Sequence, residues 1–483
     1  MDIQEAVYKE QTVRNFKDNP MIMALPRIPN KEEMIRNLIC YPDYSESERY
    51  NDLETRLYSL SNINSVYQPV NTSLEIFRKI DFVIRGGYSS RNPFSKAYIN
   101  DVYKDFDKIW TGVNLDLPIK NSISFALFGS SGCGKTTAIE KVSNYYRPII
   151  HKEFKGVMFN CYSIPMIIVS CQHDASIKGL LQNIFYEVDQ AIGSNYFEKS
   201  IRARNTTDVL IIRAKQLLRS VNCGCLIIDE IQNLSIHKSG GKEKILNTLL
   251  ILSSIGMPII FVGTAKAIEM FSSSGFRLSR RLVDGGGGIL IDRFKNDASW
   301  ELFLRSIWKY QYTAVKNELT PELVNFFYTI TAGIPSLLKS IYIAVQKTAI
   351  KSKNEVIDKD LIIKVFNHDF KLMIPMITAF SSNNLQKMIQ YDDMYIEGLI
   401  ENKLFLNNKS SLTRNKKDLN TKVIKETEKI KFENYHPKFK TNYSQNDIRS
   451  HIAKKGEGES NYDVLLRLGL IAKNDLETIG EKT

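Results

Sequence analysis

The chain has 483 residues, 43% hydrophobic and 24% charged, with a formal net charge of +12 at pH 7 and a pI near 9.1. This length predicts two or three domains. The sequence contains no apolar run of about eighteen residues and no secretory signal, which predicts a soluble, cytoplasmic protein without a membrane span. The positive charge favours a polyanionic partner, most often nucleic acid, with a merely basic surface as the alternative.

Residues 1–100 are rich in aromatic and charged side chains and are interrupted by several prolines. We predict an amino-terminal adaptor or partner-binding region without a large core of its own. Within it, the spacing of apolar residues predicts a helix over 73–85 that stops at Gly86-Gly87.

From about residue 123 the pattern changes to short apolar strands that alternate with helices. Strands are predicted at 124–128, 165–170, 225–228 and 258–262, and helices from Lys135 onward and over 176–192. Short unbroken apolar strands of this kind indicate a parallel sheet covered on both faces. The fold class is therefore α/β, with a nucleotide-binding core over 101–314.

The remaining chain is predicted to form a small helical domain and a basic tail. Residues 315–372 form the helical domain, a lid, with helices at 321–330, 336–351 and 358–368. Thr320 caps the first of these and Pro321 occupies its first position. The tail, 373–483, is lysine-rich and partly flexible, and it ends in an apolar segment near 462–472 that is suited to docking.

One motif predicts ATP binding, because it fits GxxxxGK[ST] between a strand and a helix. The motif is Gly129-Ser130-Ser131-Gly132-Cys133-Gly134-Lys135-Thr136, and the adjoining Thr137 is added to the binding set. Its N–H groups would surround phosphate oxygens at the positive end of the helix. Lys135 should reach the β- and γ-phosphates, and the Thr136 hydroxyl should bind Mg²⁺.

An acidic pair follows the apolar strand at 225–228. Asp229 would hold the metal through water, and Glu230 would orient and deprotonate the attacking water. An acidic pair at a strand end is a modest signal alone, and after the phosphate-binding loop it predicts ATP hydrolysis.

Two further features fit such a site, each with an equal alternative. Thr264, at the end of the fourth strand, is placed to sense the γ-phosphate or, alternatively, to cap the next helix. Arg280 and Arg281 lie where a neighbouring subunit of an oligomeric ATPase would supply an arginine finger. The alternative for the arginines is a solvated or DNA-facing basic cluster.

These motifs together resemble an AAA+ ATPase of the initiator-like branch, with a P-loop core and a helical lid. More narrowly, the chain resembles the TnsC family, the AAA+ regulators of Tns-type transposons, including CRISPR-associated elements. The discriminating segments precede residue 120: Ala6-Val7-Tyr8, Asp18-Asn19-Pro20, Ala24-Leu25-Pro26, Ile84-Arg85-Gly86-Gly87-Tyr88 and Arg91-Asn92-Pro93. Further segments are 191–196, 228–234, 239–241 and 263–267, and the resemblance spans roughly 6–310.

The resemblance implies an ATP-dependent regulator that forms a ring or helical homo-oligomer on duplex target DNA inside a bacterial cell. Such regulators are recruited by a target-selection protein, and they recruit and activate the transposase, TnsA plus TnsB. ATP and Mg²⁺ are the implied cofactors, and hydrolysis would reset the oligomer. The carboxyl-terminal end would contact the transposase.

The lid departs from the initiator pattern. Ser336 stands where many initiator-type ATPases carry a sensor arginine, so either Lys339 substitutes for it or the sensor is missing. Contact with DNA phosphates is expected from several basic residues, each with an ordinary surface charge as its alternative. These candidates are Lys178, Arg202, Arg204, Lys238 and Lys242.

Two other functions are compatible with these residues. One is an AAA+ replication initiator or helicase-loader type ATPase. The other is a signalling P-loop module that uses ATP to associate with protein. Stimulation of hydrolysis by duplex DNA separates the second from the DNA-binding classes, and binding of a transposase separates the transposition regulator from the replication ATPase.

Overall fold

The computed structural model describes residues 3–110, 123–202, 205–234, 236–264, 266–267, 285–352 and 354–381. The chain divides into two compact units, Met1–Leu406 and Asn407–Thr483, and the second lies outside the described residues. The strands are β1 (Gln4–Glu5), β2 (Ser124–Gly129), β3 (Ile149–Phe154), β4 (Val157–Ser163), β5 (Met166–Ser170), β6 (Cys225–Asp229), β7 (Ile259–Gly263) and β8 (Gly285–Ile291).

Helices occur throughout the described residues. Those before the main sheet are α1 (Pro20–Met23), α2 (Lys31–Leu38), α3 (Leu53–Ser59), α4 (Asn62–Ser65), α5 (Asn71–Ser89) and α6 (Lys96–Trp110). Those between its strands are α7 (Lys135–Ser143), α8 (Ile177–Ile192), α9 (Tyr196–Arg202), α10 (Thr207–Ser220) and α11 (Lys242–Ser253). Those after it are α12 (Ala298–Trp308), α13 (Pro321–Thr331), α14 (Pro335–Ile350), α15 (Lys359–Asp369) and α16 (Ile374–Ser381). Short 3-10 helices are Arg14–Phe16, Glu46–Tyr50, Ile231–Asn233 and Lys371–Met373.

The main sheet is parallel and has the strand order β5-β6-β7-β2-β8. Every residue of β6 and β7 is buried, as expected for strands covered by helices on both faces. The predicted α/β class and its four strands are confirmed, each strand within one residue at its ends. β8 is an additional strand that begins with four glycines and therefore gave no apolar run in the sequence.

The carboxyl ends of β2, β6 and β7 meet at one edge of this sheet, because all three strands run in the same direction. Ligands of open α/β sheets bind at this edge. One face of the sheet is covered by α8, α10 and α11, with Leu181, Leu218 and Leu249 in the shared core. This packing fixes the strand ends that carry the predicted site.

The other face of the sheet is covered by α7 and by helices of the amino-terminal region. Leu38 of α2 and Ile80 of α5 lie in the same core as Ile260 of β7. Helix α5 continues to Ser89, so the predicted stop at Gly86-Gly87 is wrong. Gly87 serves close packing instead, because a Cβ there would lie 2.6 Å from Cδ of Pro258.

The lid helices form a second core around Trp300, Phe327 and Ile341. The three predicted lid helices are confirmed, each within one residue at its ends. The Thr320 side chain accepts a hydrogen bond from the N–H of Leu323, as a helix cap does. Within the described residues no single helix is long and apolar enough to cross a membrane; the pair Pro321–Thr331 and Pro335–Ile350 passes that test together but is bent by 116°.

A small second sheet, in the order β1-β3-β4, was not predicted from the sequence. Its hairpin turns at Lys155-Gly156, which take left-handed φ angles of 53° and 80°. The ring of His151, on β3, is hydrogen-bonded through Nδ1 to the Tyr8 hydroxyl at 2.9 Å and through Nε2 to the Ser163 hydroxyl at 2.8 Å. Burial lowers the pKa of His151 to about 4, so this side chain is neutral near pH 7 and fastens residues 3–8 to the sheet.

Candidate functional site

The loop between β2 and α7 has the shape of a phosphate-binding loop. Gly132 and Gly134 take left-handed φ angles of 78° and 87°, which glycine adopts without steric cost. A Cβ at Gly129 would lie 2.6 Å from the carbonyl oxygen of Ile291, so the contact between β2 and β8 requires glycine there. The loop leads directly into the amino terminus of α7, where backbone N–H groups are available to phosphate oxygens.

Lys135 is the cation of this loop. Its side chain is buried, and its Nζ donates hydrogen bonds to the carbonyl oxygens of Gly129 and Ser130, both at 2.9 Å. A buried ammonium held by the loop backbone is pre-positioned for a phosphate group, because little side-chain freedom is left to lose on binding. The structure thus places Lys135 inside the loop, and its contact with the β- and γ-phosphates stays a prediction.

Thr136 and Asp229 meet across the loop although they are far apart in the sequence. The Thr136 hydroxyl donates to Oδ2 of Asp229 at 2.7 Å, and Asp229 is buried at the end of β6. A hydroxyl and a carboxylate oxygen are hard ligands of the kind that Mg²⁺ prefers. The residues present therefore fit the metal ion that the motif implies.

Glu230 follows Asp229 with a left-handed φ of 53°, which turns the chain away from β6 into a 3-10 turn. The Glu230 N–H donates to Oδ1 of Asp229 at 2.8 Å. Glu230 and Thr264 border a cavity of about 460 Å³, which we call the hydrolysis chamber after the reaction that the sequence predicts. Its lining is Ser131, His173, Asp174, Glu230, Gln232, Asn233, Leu234, Thr264 and Lys266.

A second cavity, also of about 460 Å³, lies on the other side of the loop; we call it the nucleoside cavity after the part of ATP that the sequence motif predicts here. Its walls come from four parts of the chain: residues 67–76, 132–138, 290–303 and 335–339. A volume of this size suits a small-molecule ligand such as a nucleoside. The phosphate-binding loop separates the two cavities, with Ser131 in the chamber and Gly132 in the nucleoside cavity.

Cys133 and Thr137 also border the nucleoside cavity. Burial raises the pKa of the Cys133 thiol to about 12, and the nearby Asp292 carboxylate adds to this effect. The thiol is therefore protonated near pH 7 and a poor nucleophile. Cys133 acts as a wall of the cavity.

The lid contacts the phosphate-binding loop directly. The Ser336 N–H donates to the Gly132 carbonyl oxygen at 3.3 Å. Lys339 borders the nucleoside cavity, and its Nζ donates to the carbonyl oxygens of Asn64 at 2.9 Å and Val66 at 2.6 Å. Burial lowers the pKa of Lys339 to about 8. Lys339 thus faces the cavity and also joins the lid to the amino-terminal region.

Three of the predicted DNA-contacting residues lie at one end of α8. The Ile177 N–H donates to Oγ of Ser239 at 3.2 Å, which brings Lys178 beside the loop that carries Lys238 and leads to Lys242. Lys178 is exposed. Lys238 forms an ion pair with Asp174, which reduces the local positive charge.

The other predicted basic residues lie apart from this group or outside the described residues. Arg202 is exposed on α9 and pairs with Glu198, one turn earlier. Arg204, Arg280 and Arg281 lie outside the described residues.

Sequence reasoning missed several residues of the hydrolysis chamber, chiefly Gln232, His173 and Lys266. Gln232 stands two positions after Glu230, and Lys266 two after Thr264, so proximity to the predicted acidic and sensor residues was the available signal. His173 follows β5, whose carboxyl end lies beside that of β6.

Comparison with known proteins gives a family match for part of the chain. Residues 120–271 match the family model described as "AAA domain", and no curated protein matches the chain. The Aeropyrum pernix ORC1 protein in complex with DNA has a TM-score of 0.38 and 11% identity, over 72% of this chain and 86% of that one. Domain III of the Thermotoga maritima replication initiation protein DnaA has a TM-score of 0.32 and 13% identity, over 56% of this chain and 91% of that one. AMPPCP-bound DnaA from Aquifex aeolicus has a TM-score of 0.31 and 13% identity, over 68% of this chain and 94% of that one.

Proposed function

Because the chain contains an AAA domain with the AAA+ P-loop fold, we propose that it is an ATP-dependent, DNA-binding regulator of transposition. In this proposal it forms a ring or helical oligomer on duplex target DNA inside a bacterial cell. It links a target-selection protein to the transposase subunits TnsA and TnsB and activates them. ATP hydrolysis acts as the switch between assembly and disassembly.

The observation that carries the proposal is that the amino-terminal segments resembling the TnsC family are joined by hydrogen bonds. The Asn19 side chain donates through Nδ2 to the Tyr88 carbonyl oxygen at 2.8 Å. Arg85 donates through Nη2 to the Pro26 carbonyl oxygen at 2.6 Å. Segments that generic AAA+ proteins lack thus form one packed unit, which supports a specialised regulator over a general ATPase.

The same unit is bonded to the turn that precedes β6. Arg91 donates to the carbonyl oxygens of Cys223 at 2.7 Å and Gly224 at 3.0 Å. Tyr88 donates to the carbonyl oxygen of Asn222 at 2.8 Å. Strand β6 carries Asp229 at its far end, so these bonds support a regulator in which partner binding at the amino-terminal region influences the ATP site.

The proposed chemistry assigns one task to each residue of the site. Lys135 and the loop N–H groups hold the phosphates, while Thr136 and Asp229 hold Mg²⁺, which neutralises phosphate charge when bound. Glu230 orients the attacking water and accepts its proton, and Thr264 contacts the γ-phosphate. The burial of Lys135, apart from the cavity that Glu230 and Thr264 border, supports this division of work.

The remaining parts of the proposal concern the oligomer. Arg280 or Arg281 of a neighbouring subunit would complete the site by neutralising charge in the transition state. Lys178, Lys238 and Lys242 would follow DNA phosphates, without reading the sequence. The shared position of these three lysines at one end of α8 supports a single DNA-facing surface.

The test uses the full chain with ATP, duplex DNA, and purified TnsA and TnsB. We expect duplex DNA to stimulate hydrolysis, and a non-hydrolysable ATP analogue to give DNA-bound oligomers visible by electron microscopy. We also expect capture of TnsA or TnsB to require residues 373–483. Absence of both DNA stimulation and oligomers would refute the DNA-binding proposal. Normal oligomers without transposase capture would favour the replication initiator or helicase-loader alternative.

A further inference from the structure

Gln232 bridges two elements of the hydrolysis chamber through its side-chain amide. Its Nε2 donates a hydrogen bond to Oε2 of Glu230, and its Oε1 accepts one from the N–H of Thr264 at 3.1 Å. The orientation of the amide is fixed by chemistry, because an ionised carboxylate accepts hydrogen bonds and a backbone N–H donates them. A flipped amide would face both partners with the wrong group.

The amide also packs against the end of β7. A Cβ at Gly263 would lie 2.5 Å from Oε1 of Gln232, so the strand approaches the amide closely at this point. Both hydrogen bonds and this contact restrict the rotation of Gln232. A restrained amide in turn restrains the carboxylate of Glu230, which stands on a left-handed backbone at the start of the 3-10 turn.

We propose that Gln232 is a positioning residue for ATP hydrolysis, which sets the orientation of the Glu230 carboxylate and links it to the end of β7. This inference rests on the proposed function, in which Glu230 receives a proton from water. A carboxylate that is free to rotate meets the water in the wrong geometry for much of the time, and loss of alignment is costly in rate. Thr264 borders the same chamber, so a change in its backbone would reach Glu230 through a single side chain.

The two halves of the bridge can be separated by substitution. Gln232→Leu removes both hydrogen bonds while keeping similar size. Gln232→Glu keeps an acceptor for the Thr264 N–H but replaces the donor to Glu230 with a second carboxylate. Gln190→Leu is the matched control, because Gln190 is exposed on α8 and away from the chamber.

The experiment measures ATP affinity and turnover in the full chain. We expect Gln232→Leu to bind ATP within about twofold of wild type and to hydrolyse it about 10- to 100-fold more slowly. Gln232→Glu should also bind ATP near the wild-type affinity and hydrolyse it at least about 10-fold more slowly, because a carboxylate replaces the amide N–H that donates to Glu230. Gln190→Leu should match wild type in both measurements.

Three results would overturn the inference. Wild-type turnover in Gln232→Leu would show that the bridge has no part in hydrolysis. Wild-type turnover in Gln232→Glu would show that the donor to Glu230 has no part in hydrolysis. If wild type itself hydrolyses no ATP, the proposed function fails together with the inference, whereas active wild type with unaffected variants removes the inference alone.

Discussion

Arg91 donates a hydrogen bond through Nη1 to the carbonyl oxygen of Cys223 at 2.7 Å. These residues are 132 positions apart in the sequence, and the bond connects the amino-terminal region to the turn that begins β6. The same guanidinium reaches Gly87 and Gly224, so one buried side chain joins α5 to the central sheet.

Removal of this guanidinium is expected to destabilise the fold. Arg91→Ala removes the guanidinium donor from the carbonyl oxygens of Cys223 and Gly224 and leaves that of Gly87 with the Ser90 hydroxyl alone, which we expect to cost about 2–4 kcal/mol. Urea unfolding measures the effect. Arg78→Ala, at an exposed position of α5, is the control and should change stability by less than about 0.5 kcal/mol. Equal stability of the two variants would contradict the prediction.

Loss of the loop cation should abolish nucleotide binding. Lys135→Ala removes the buried ammonium that lies against Gly129 and Ser130, and we expect no ATP binding and no oligomer assembly. Isothermal titration calorimetry with ATP and Mg²⁺ measures the affinity for ATP. Lys152→Ala, at an exposed position on β3, should bind ATP normally. Retention of binding by Lys135→Ala would show that ATP is held elsewhere.

Glu230→Gln should separate binding from hydrolysis. The amide keeps the size of the side chain but accepts no proton at neutral pH, so we expect normal ATP binding and at least about a 100-fold loss of turnover. Bound, unhydrolysed ATP would then maintain DNA-bound oligomers for longer than in wild type. Phosphate release and electron microscopy measure the two effects. Normal turnover would exclude Glu230 as the base.

The exposed lysine at the start of α8 should contribute to DNA affinity. Lys178→Ala is expected to weaken binding to duplexes of different sequence to the same extent, and to reduce the slope of log affinity against log salt by about 1. Fluorescence anisotropy over a salt series measures both quantities. Lys364→Ala, exposed on α15, is the control. An unchanged salt slope for Lys178→Ala would place the DNA surface elsewhere.

The lid lysine predicts a pH dependence of stability. Burial lowers the pKa of Lys339 to about 8 in the folded chain, against an ordinary value of 10.5. Between these values the unfolded chain binds the proton and the folded chain does not, so this group makes folding more favourable as the pH rises.

Lys339→Met should lack that contribution. We expect the free energy of unfolding of wild type, relative to the variant, to increase by on the order of 1–2 kcal/mol between pH 7.5 and 10. Chemical unfolding at both pH values measures it. Lys347→Met, exposed on the same helix, should show no such trend relative to wild type. A flat difference for Lys339→Met would mean that the ammonium is not buried in solution.

The sequence was sufficient to predict the parallel sheet and the glycine-rich loop between β2 and α7. Apolar runs such as the one before Asp229 indicate a strand that is buried on both faces, and the glycine pattern before Lys135 indicates a loop with left-handed backbone angles. Both signals are local, so they can be seen without knowledge of the fold. The stop predicted at Gly86-Gly87 failed because those glycines serve a contact with Pro258, a residue distant in sequence.

Long-range contacts also explain what was missed at the site. The bridge from Glu230 through Gln232 to Thr264 depends on the pairing of β6 with β7, which no local pattern encodes. The bonds from Lys339 to Asn64 and Val66 depend on how the lid packs against the amino-terminal region. Neither can be derived from spacing alone. The role in transposition that the TnsC-like segments imply stays a prediction. The structure shows that these segments form one hydrogen-bonded unit.

The nucleoside cavity has walls drawn from residues 67–76, 132–138, 290–303 and 335–339. The family match ends at residue 271, so a fragment cut to those limits would retain one of the four walls. In the proposed function, nucleotide binding would then act as a check on folding, because the ligand gains its full contacts after the start of α14 is in place. A piece of this protein that holds all four walls spans residues 67–339 and is accordingly nearly twice as long as the matched domain.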